Sequence, residues 1–108
     1  MKILIIKHGS LGDLVLSFGA IKTLNHHYPN DDLYLLTQSN YKNIFIKLPY
    51  VKEILIDNRS SIIQSIINYL KIIKKNKFDL VVDLQNSNRT QIYHFFTRVF
   101  TNTQILSA

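Results

Sequence analysis

The chain has 108 residues, 46% of them apolar and 19% charged, the profile of one modest globular domain and not of a disordered chain. It has no cysteine, which excludes a disulfide framework and a thiolate metal site. No apolar run approaches the length that crosses a bilayer, and a net charge of +6 points to an anionic partner: phosphate, nucleic acid or an acidic membrane surface.

The opening "MKILIIK" is apolar, β-branched and continuous. It is too short for a targeting segment, and its pattern predicts a strand over 2–7 that is buried on both faces. "SLGDLVLSFGAIKTLNHHY" follows as a helix, with Leu14, Phe18, Ile21 and Leu24 at helical spacing and Pro29 closing the region. "DLYLLTQ" (32–38) reads as the second strand and "NYKNIFIKL" (40–48) as a short helix stopped by Pro49. "VKEILID" (51–57) is the third strand, and "NRSS" a loop. The clearest helix covers 61–77, where Ile62, Ile63, Ile66, Ile67, Leu70 and Ile73 form the apolar stripe. Ser61 and Gln64 have capping-box spacing at its start, and lysines crowd its end, where the macrodipole favours cations. "FDLVVDLQ" (78–85) is a fourth strand, "NSNR" a loop, 90–100 a helix and "TQILSA" (103–108) a buried fifth strand.

Strands alternating with helices predict an α/β fold: a Rossmann-like parallel sheet with helices on both faces, in a single domain spanning 1–108. A buried fifth strand with no helix after it leaves sheet surface uncovered. The expectation is therefore a domain that docks on something else, or a fragment.

In such sheets ligands bind beyond the carboxyl ends of the strands. Four polar loops meet that edge: His8 to Asp13, Gln38 and Ser39, Asn58 and Arg59, and Gln85 to Arg89. Asp13 is the main acidic candidate. Gly9 and Gly12 permit a tight turn, and the helix start offers N–H groups to an anion. The loop matches neither the dinucleotide glycine fingerprint nor the P-loop. Ser10 and Asp13 also have the spacing of a capping box, so Asp13 reads equally as a helix cap. As a reacting group it would be a carboxylate held ionised by the helix start. That suits a proton lost late, as when a sugar hydroxyl attacks an oxocarbenium-like centre. Arg59 and Arg89 follow strand ends and read either as forks for a phosphate or carboxylate or as ordinary surface arginines. Asp31 and Asp32 fall at the opposite edge and read as solvated. His26 and His27 complement a helix end rather than a metal. Asp83, inside its strand, reads as an acceptor for loop N–H groups. Two of Tyr93, His94, Phe95 and Phe96 must face the core at any helical phase.

Two stretches together resemble one family. "ILIIKHGSLGDLVLSFGAIKTLNHHYP" resembles the N-terminal signature of the heptosyltransferases, the ADP-heptose:lipopolysaccharide group of glycosyltransferases (family nine), and "FDLVVDLQNSNRT" resembles their second one. Lys7, His8 and Asn86 depart from the residues common there. The resemblance spans the whole chain and implies the N-terminal, acceptor-side half of a GT-B fold, with the C-terminal donor domain missing and the chain alone inactive. It implies Asp13 as the general base of an inverting transfer from an ADP-heptose-like nucleotide-sugar to a lipopolysaccharide core-type glycolipid. Ser10, Leu11, Gly12, Arg59, Gln85 and Arg89 would then shape the acceptor side. It further implies no cofactor, no metal and no nucleic-acid partner, with a cytoplasmic location and peripheral contact with the anionic inner membrane. The competing reading is a non-catalytic Rossmann-like module that binds an anion or a protein.

Overall fold

A computed structural model describes the chain except for residues 8–10, 46–47, 49, 58–60, 86, 102 and 108; the side chains of 11–17, 40, 44, 62, 88 and 107 also lie outside the description. The strands β1 (Lys2–Ile6), β2 (Asp32–Thr37), β3 (Val51–Ile56), β4 (Leu80–Asp83) and β5 (Gln104–Ser107) form one parallel sheet in the order β3-β2-β1-β4-β5. The helices are α1 (Leu11–His27), α2 (Lys42–Phe45), α3 (Ile62–Asn76) and α4 (Asn88–Phe100). This is the expected Rossmann-like α/β architecture.

The sheet divides two cores. On one face Ile3, Ile5, Leu33, Leu35, Leu80 and Val82 meet Ile21 of α1 and Phe45 of α2, with Phe18, Leu24 and Tyr28 packed alongside. Those α1 residues recur every three or four positions, which turns one stripe of the helix inward. On the other face Leu4, Ile6, Tyr34, Leu36 and Val81 meet Tyr69 and Ile73 of α3 and Tyr93 of α4. Each fully buried Ile or Leu contributes about 1.5–3 kcal/mol of transfer free energy, so the sheet is held by its own side chains on both faces.

Ser61 caps α3 by accepting from the Gln64 N–H at 3.2 Å. Lys77 ends that helix in the left-handed region (φ 52°), its N–H reaching the Ile73 carbonyl.

Three expectations change. The segment 40–48 is not one helix: a 3₁₀ turn (Ser39–Tyr41) leads into the single turn of α2. The "NSNR" loop is shorter than expected, because α4 starts at Asn88. There Ser87 and Thr90 form a reciprocal capping box. The last strand is not buried: β5 is a sheet edge, and Leu106 is 51% exposed.

Candidate functional site

The chain leaves β1 toward one face of the sheet and β4 toward the other. The two strands are neighbours, with Ile6 opposite Asp83. This is the topological switch point where open α/β sheets form their ligand crevice. The described parts of the two stretches singled out in the sequence, Lys7 and the start of α1 in one and Asp83 to Gln85 in the other, therefore follow adjacent strands at the carboxyl edge of the sheet.

A row of buried polar residues marks that edge. Lys7 follows β1, Thr37 ends β2, Asp57 follows β3 and Asp83 ends β4; none is more than 5% exposed. Backbone bonds continue the sheet through the row, from the Lys7 N–H to the Leu36 carbonyl (3.0 Å), Asp57 to Thr37 (2.8 Å) and Leu84 to Ile6 (3.0 Å).

The Asp83 carboxylate ties the loop to the helix behind it. Oδ1 accepts from the Gln85 N–H at 2.8 Å, and Oδ2 lies 2.8 Å from Nε2 of the buried His94. Asp83 is thus the acceptor for loop N–H groups that its place in the strand suggested. The other imidazole nitrogen, Nδ1, is buried without a hydrogen-bond partner. A buried polar atom left without a partner carries a desolvation cost.

A second network holds Arg89. Its guanidinium donates to Oγ of Ser65 on α3 at 2.5 Å and also reaches the Tyr93 hydroxyl. That hydroxyl donates to Oδ2 of Asp57 at 2.5 Å. Arg89 and Tyr93 are four residues apart, hence on one face of α4. Burial first, and then the bond to Asp57, push the Tyr93 hydroxyl up to about 12, against the pull of Arg89 and Ser65. Beneath it the Tyr69 ring stacks on Tyr93 with centroids 4.4 Å apart and planes 7° apart. The Tyr69 hydroxyl pairs with Thr97 at 2.7 Å, and burial raises its pKa as well.

Among the expected site residues, Gln85 and Arg89 are both half-buried at this edge. Arg89 is not in the loop where the sequence placed it. It stands in the first turn of α4 and is engaged by α3 and by Tyr93. Leu11, Gly12 and Asp13 form the first residues of α1, and their side chains lie outside the description, as do Ser10 and Arg59 altogether. Sequence reasoning missed Asp57, Ser65, Tyr93 and His94 as parts of the edge. A signal existed for the first: each of the four apolar strand runs closes on one polar residue, and Asp57 is one of these.

Cavities elsewhere offer less. One of about 410 Å³ is lined by residues that include Lys74, Lys77, Phe78, Asp79 and Phe100. It lies at the amino ends of the strands, away from the edge at which parallel sheets bind ligands. There Asp31 pairs with the chain's amino group at 2.9 Å, and Asp32 with Lys52 at 3.3 Å.

No protein-family model matches the sequence, and no curated protein matches it. Solved structures do match the fold. The crystal structure of the glycosyl transferase family 9 from Veillonella parvula DSM 2008 aligns over 96% of this chain with a TM-score of 0.74 and 17% identity. The fold is one that glycosyltransferases use. E. coli ADP-heptose lps heptosyltransferase II gives a TM-score of 0.73 and 19% identity, again over 96% of this chain. The chain spans 35% of the length of the first protein and 30% of the second.

Proposed function

We propose that this chain is the N-terminal, acceptor-side domain of a GT-B glycosyltransferase. The reaction is inverting transfer of a sugar from an ADP-heptose-like donor to a lipopolysaccharide core-type glycolipid. The oxygen of an acceptor hydroxyl attacks the anomeric carbon from the side opposite the nucleotide diphosphate. The bond to the diphosphate breaks, and the hydroxyl proton passes to the carboxylate of Asp13. No resident metal or cofactor enters the step as proposed.

One observation supports this reading most. Helix α1, which begins at Leu11-Gly12-Asp13, follows β1, and the D-L-Q segment ends the neighbouring β4, at the switch point of a sheet shared with two glycosyltransferases. In this reading Ser10, Leu11 and Gly12 shape the wall beside Asp13. Gln85, Arg59 and Arg89 supply donors to an acidic acceptor, and Ser65, Tyr93 and Asp57 act through Arg89 as positioning residues. The donor site belongs to a second domain, the enzyme works on the cytoplasmic side of the membrane, and nucleic acid is no partner.

The test is a transfer assay read by mass spectrometry. This domain is fused to the C-terminal domain of a family-nine transferase and supplied with ADP-heptose and a truncated lipopolysaccharide. Wild type is expected to form product, and Asp13→Ala to lose on the order of 10²–10⁴-fold in rate. Undiminished turnover by Asp13→Ala rejects the base role. A folded chimera that makes no product rejects the acceptor or donor assignment.

A further inference from the structure

The cavity of about 410 Å³ at the amino ends of the strands is no part of the switch-point crevice, yet three kinds of surface meet in it. Ile73, Phe78 and Phe100 form an apolar wall. Lys74 and Lys77 supply ammonium groups, that of Lys74 lying 5.2 Å above the Phe100 ring. Asp79, Thr101 and Thr103 supply oxygens. Both threonine hydroxyls already donate their protons, Thr101 to the Thr97 carbonyl at 2.7 Å and Thr103 to the Phe78 carbonyl at 2.6 Å. What they and Asp79 offer a ligand is therefore lone pairs.

Lys77 sets this cavity apart from an ordinary helix end. Among the described residues it is the one non-glycine residue with a positive φ. That left-handed position closes α3, and helices usually place glycine there because a side chain is penalised. The closing bond runs from the Lys77 backbone N–H to the Ile73 carbonyl at 3.0 Å, and glycine would make it equally well. The cap therefore has no need of a lysine, and strain of this kind gathers at functional sites. Lys77 and Asp79 also line an adjoining hollow of about 400 Å³, to which Lys2 and Lys75 add two further cations. Among the described residues no carboxylate pairs with the Lys74, Lys75 or Lys77 side chain.

We propose that this cavity binds a nucleoside monophosphate. Lys74 and Lys77 hold the phosphate. The base lies against the apolar wall, and hydroxyl and amino groups of the nucleoside donate to Asp79 and the threonine oxygens. The lining decides the class. Inorganic phosphate would leave the apolar wall and the acceptors unused, and an anion with a purely apolar body would leave the acceptors unpaired. A neutral nucleoside would leave the lysines without a counter-charge. The cavity volume falls within the range of small-molecule pockets, about 300–1,000 Å³. The inference does not depend on the transferase reading, because the cavity lies at the opposite edge of the sheet from the crevice.

The test is a titration of the isotope-labelled 108-residue chain with AMP, adenosine and ribose phosphate, followed by amide chemical shifts. AMP is expected to shift the amides of Lys77, Asp79, Thr101 and Thr103 to saturation. Adenosine and ribose phosphate should each bind about tenfold more weakly. Lys77→Gly and Lys77→Asn both tolerate the left-handed position, and each should weaken AMP about tenfold, as should Lys74→Gln. Lys77→Gly should at the same time raise the melting temperature, because the backbone penalty is relieved. Tighter folding with weaker binding is a pair of effects that a purely structural lysine would not give. Shifts that do not saturate at these residues, or adenosine or ribose phosphate matching AMP, overturn the proposal. So do Lys77 variants that bind AMP as the wild type does. A lowered melting temperature in Lys77→Gly also overturns it, in favour of a lysine that serves the fold.

Discussion

Replacing Tyr93 by phenylalanine removes one oxygen from the polar edge and keeps the ring. The stack on Tyr69 and the apolar burial therefore persist. What goes is the O–H bond to the Asp57 carboxylate, where Asp57 is 2% exposed, together with the weaker contacts of Arg89 and Ser65 with the same oxygen. A hydrogen bond to a charged group contributes about 1.5–3 kcal/mol, so a loss of about 2 kcal/mol is expected. For a domain this size that lowers Tm by about 8 °C. Tyr69→Phe supplies the internal comparison. It also keeps its ring and loses one hydroxyl bond, but to the neutral Thr97 Oγ1, and about 1 kcal/mol is expected. Urea titrations followed by circular dichroism measure both, with the m-value unchanged. A Tyr93→Phe variant that loses less than Tyr69→Phe would refute the assignment of a charged acceptor to Tyr93.

Two further outcomes follow from the same edge. Tyr93 is held protonated to about 12 in the fold, above the ordinary tyrosine value. The native state therefore binds more protons than the unfolded one between about pH 10 and 12. The stability supplied by its hydroxyl is fully present below that window and lost as pH rises through it. Tyr69 shifts in the same direction. Urea midpoints should fall across the window, and less steeply in Tyr93→Phe; an unchanged slope counts against the buried hydroxyl. Separately, Ser87→Ala removes the acceptor of the Thr90 N–H at the start of α4 and should cost about 1 kcal/mol in chemical denaturation. Ser87→Asp, which can still cap, should recover most of it.

Much of this architecture was legible because each element carries its own local signal. "KILIIK" and "LVVD" are unbroken apolar runs and became central strands, with β1 flanked by β2 and β4. Ser61 was readable as a cap because its partner lies three residues on. The start of α4 was missed for a related reason: its capping box closes with Thr90 instead of the usual Glu or Gln. β5 was misjudged because apolar composition reports a tendency to be buried, and not whether a neighbour exists to bury it. Of the site, Gln85 and Arg89 could be placed from strand ends alone. The partners of Arg89 could not. Ser65 is 24 residues away, and Asp57 is 36 from Tyr93, so these pairs exist only once α3 and α4 pack side by side.

The two edges of the sheet differ in a way that bears on where function lies. At the amino edge the charges are exposed ion pairs, Met1 with Asp31 and Lys52 with Asp32, of a kind that contributes little. At the carboxyl edge the chain buries Lys7, Thr37, Asp57, Asp83 and His94, which costs stability unless each group is paired. Two of those side chains still leave an atom without a partner, Thr37 Oγ1 and His94 Nδ1. A domain built for stability alone would close its strands with apolar residues, as it does in the middle of the sheet. Buried polar groups concentrated at the switch point, and used to brace Arg89 and the loop of Gln85, fit a surface pre-organised for a polar ligand. Asp57→Asn tests that argument apart from stability. It keeps an acceptor for Tyr93 and removes the charge, so the fold should survive while Arg89 loses part of its anchoring. In the fused transferase the expected signature is a raised KM for the acceptor with kcat little changed. Equal losses in kcat and kcat/KM would instead place Asp57 in the chemical step.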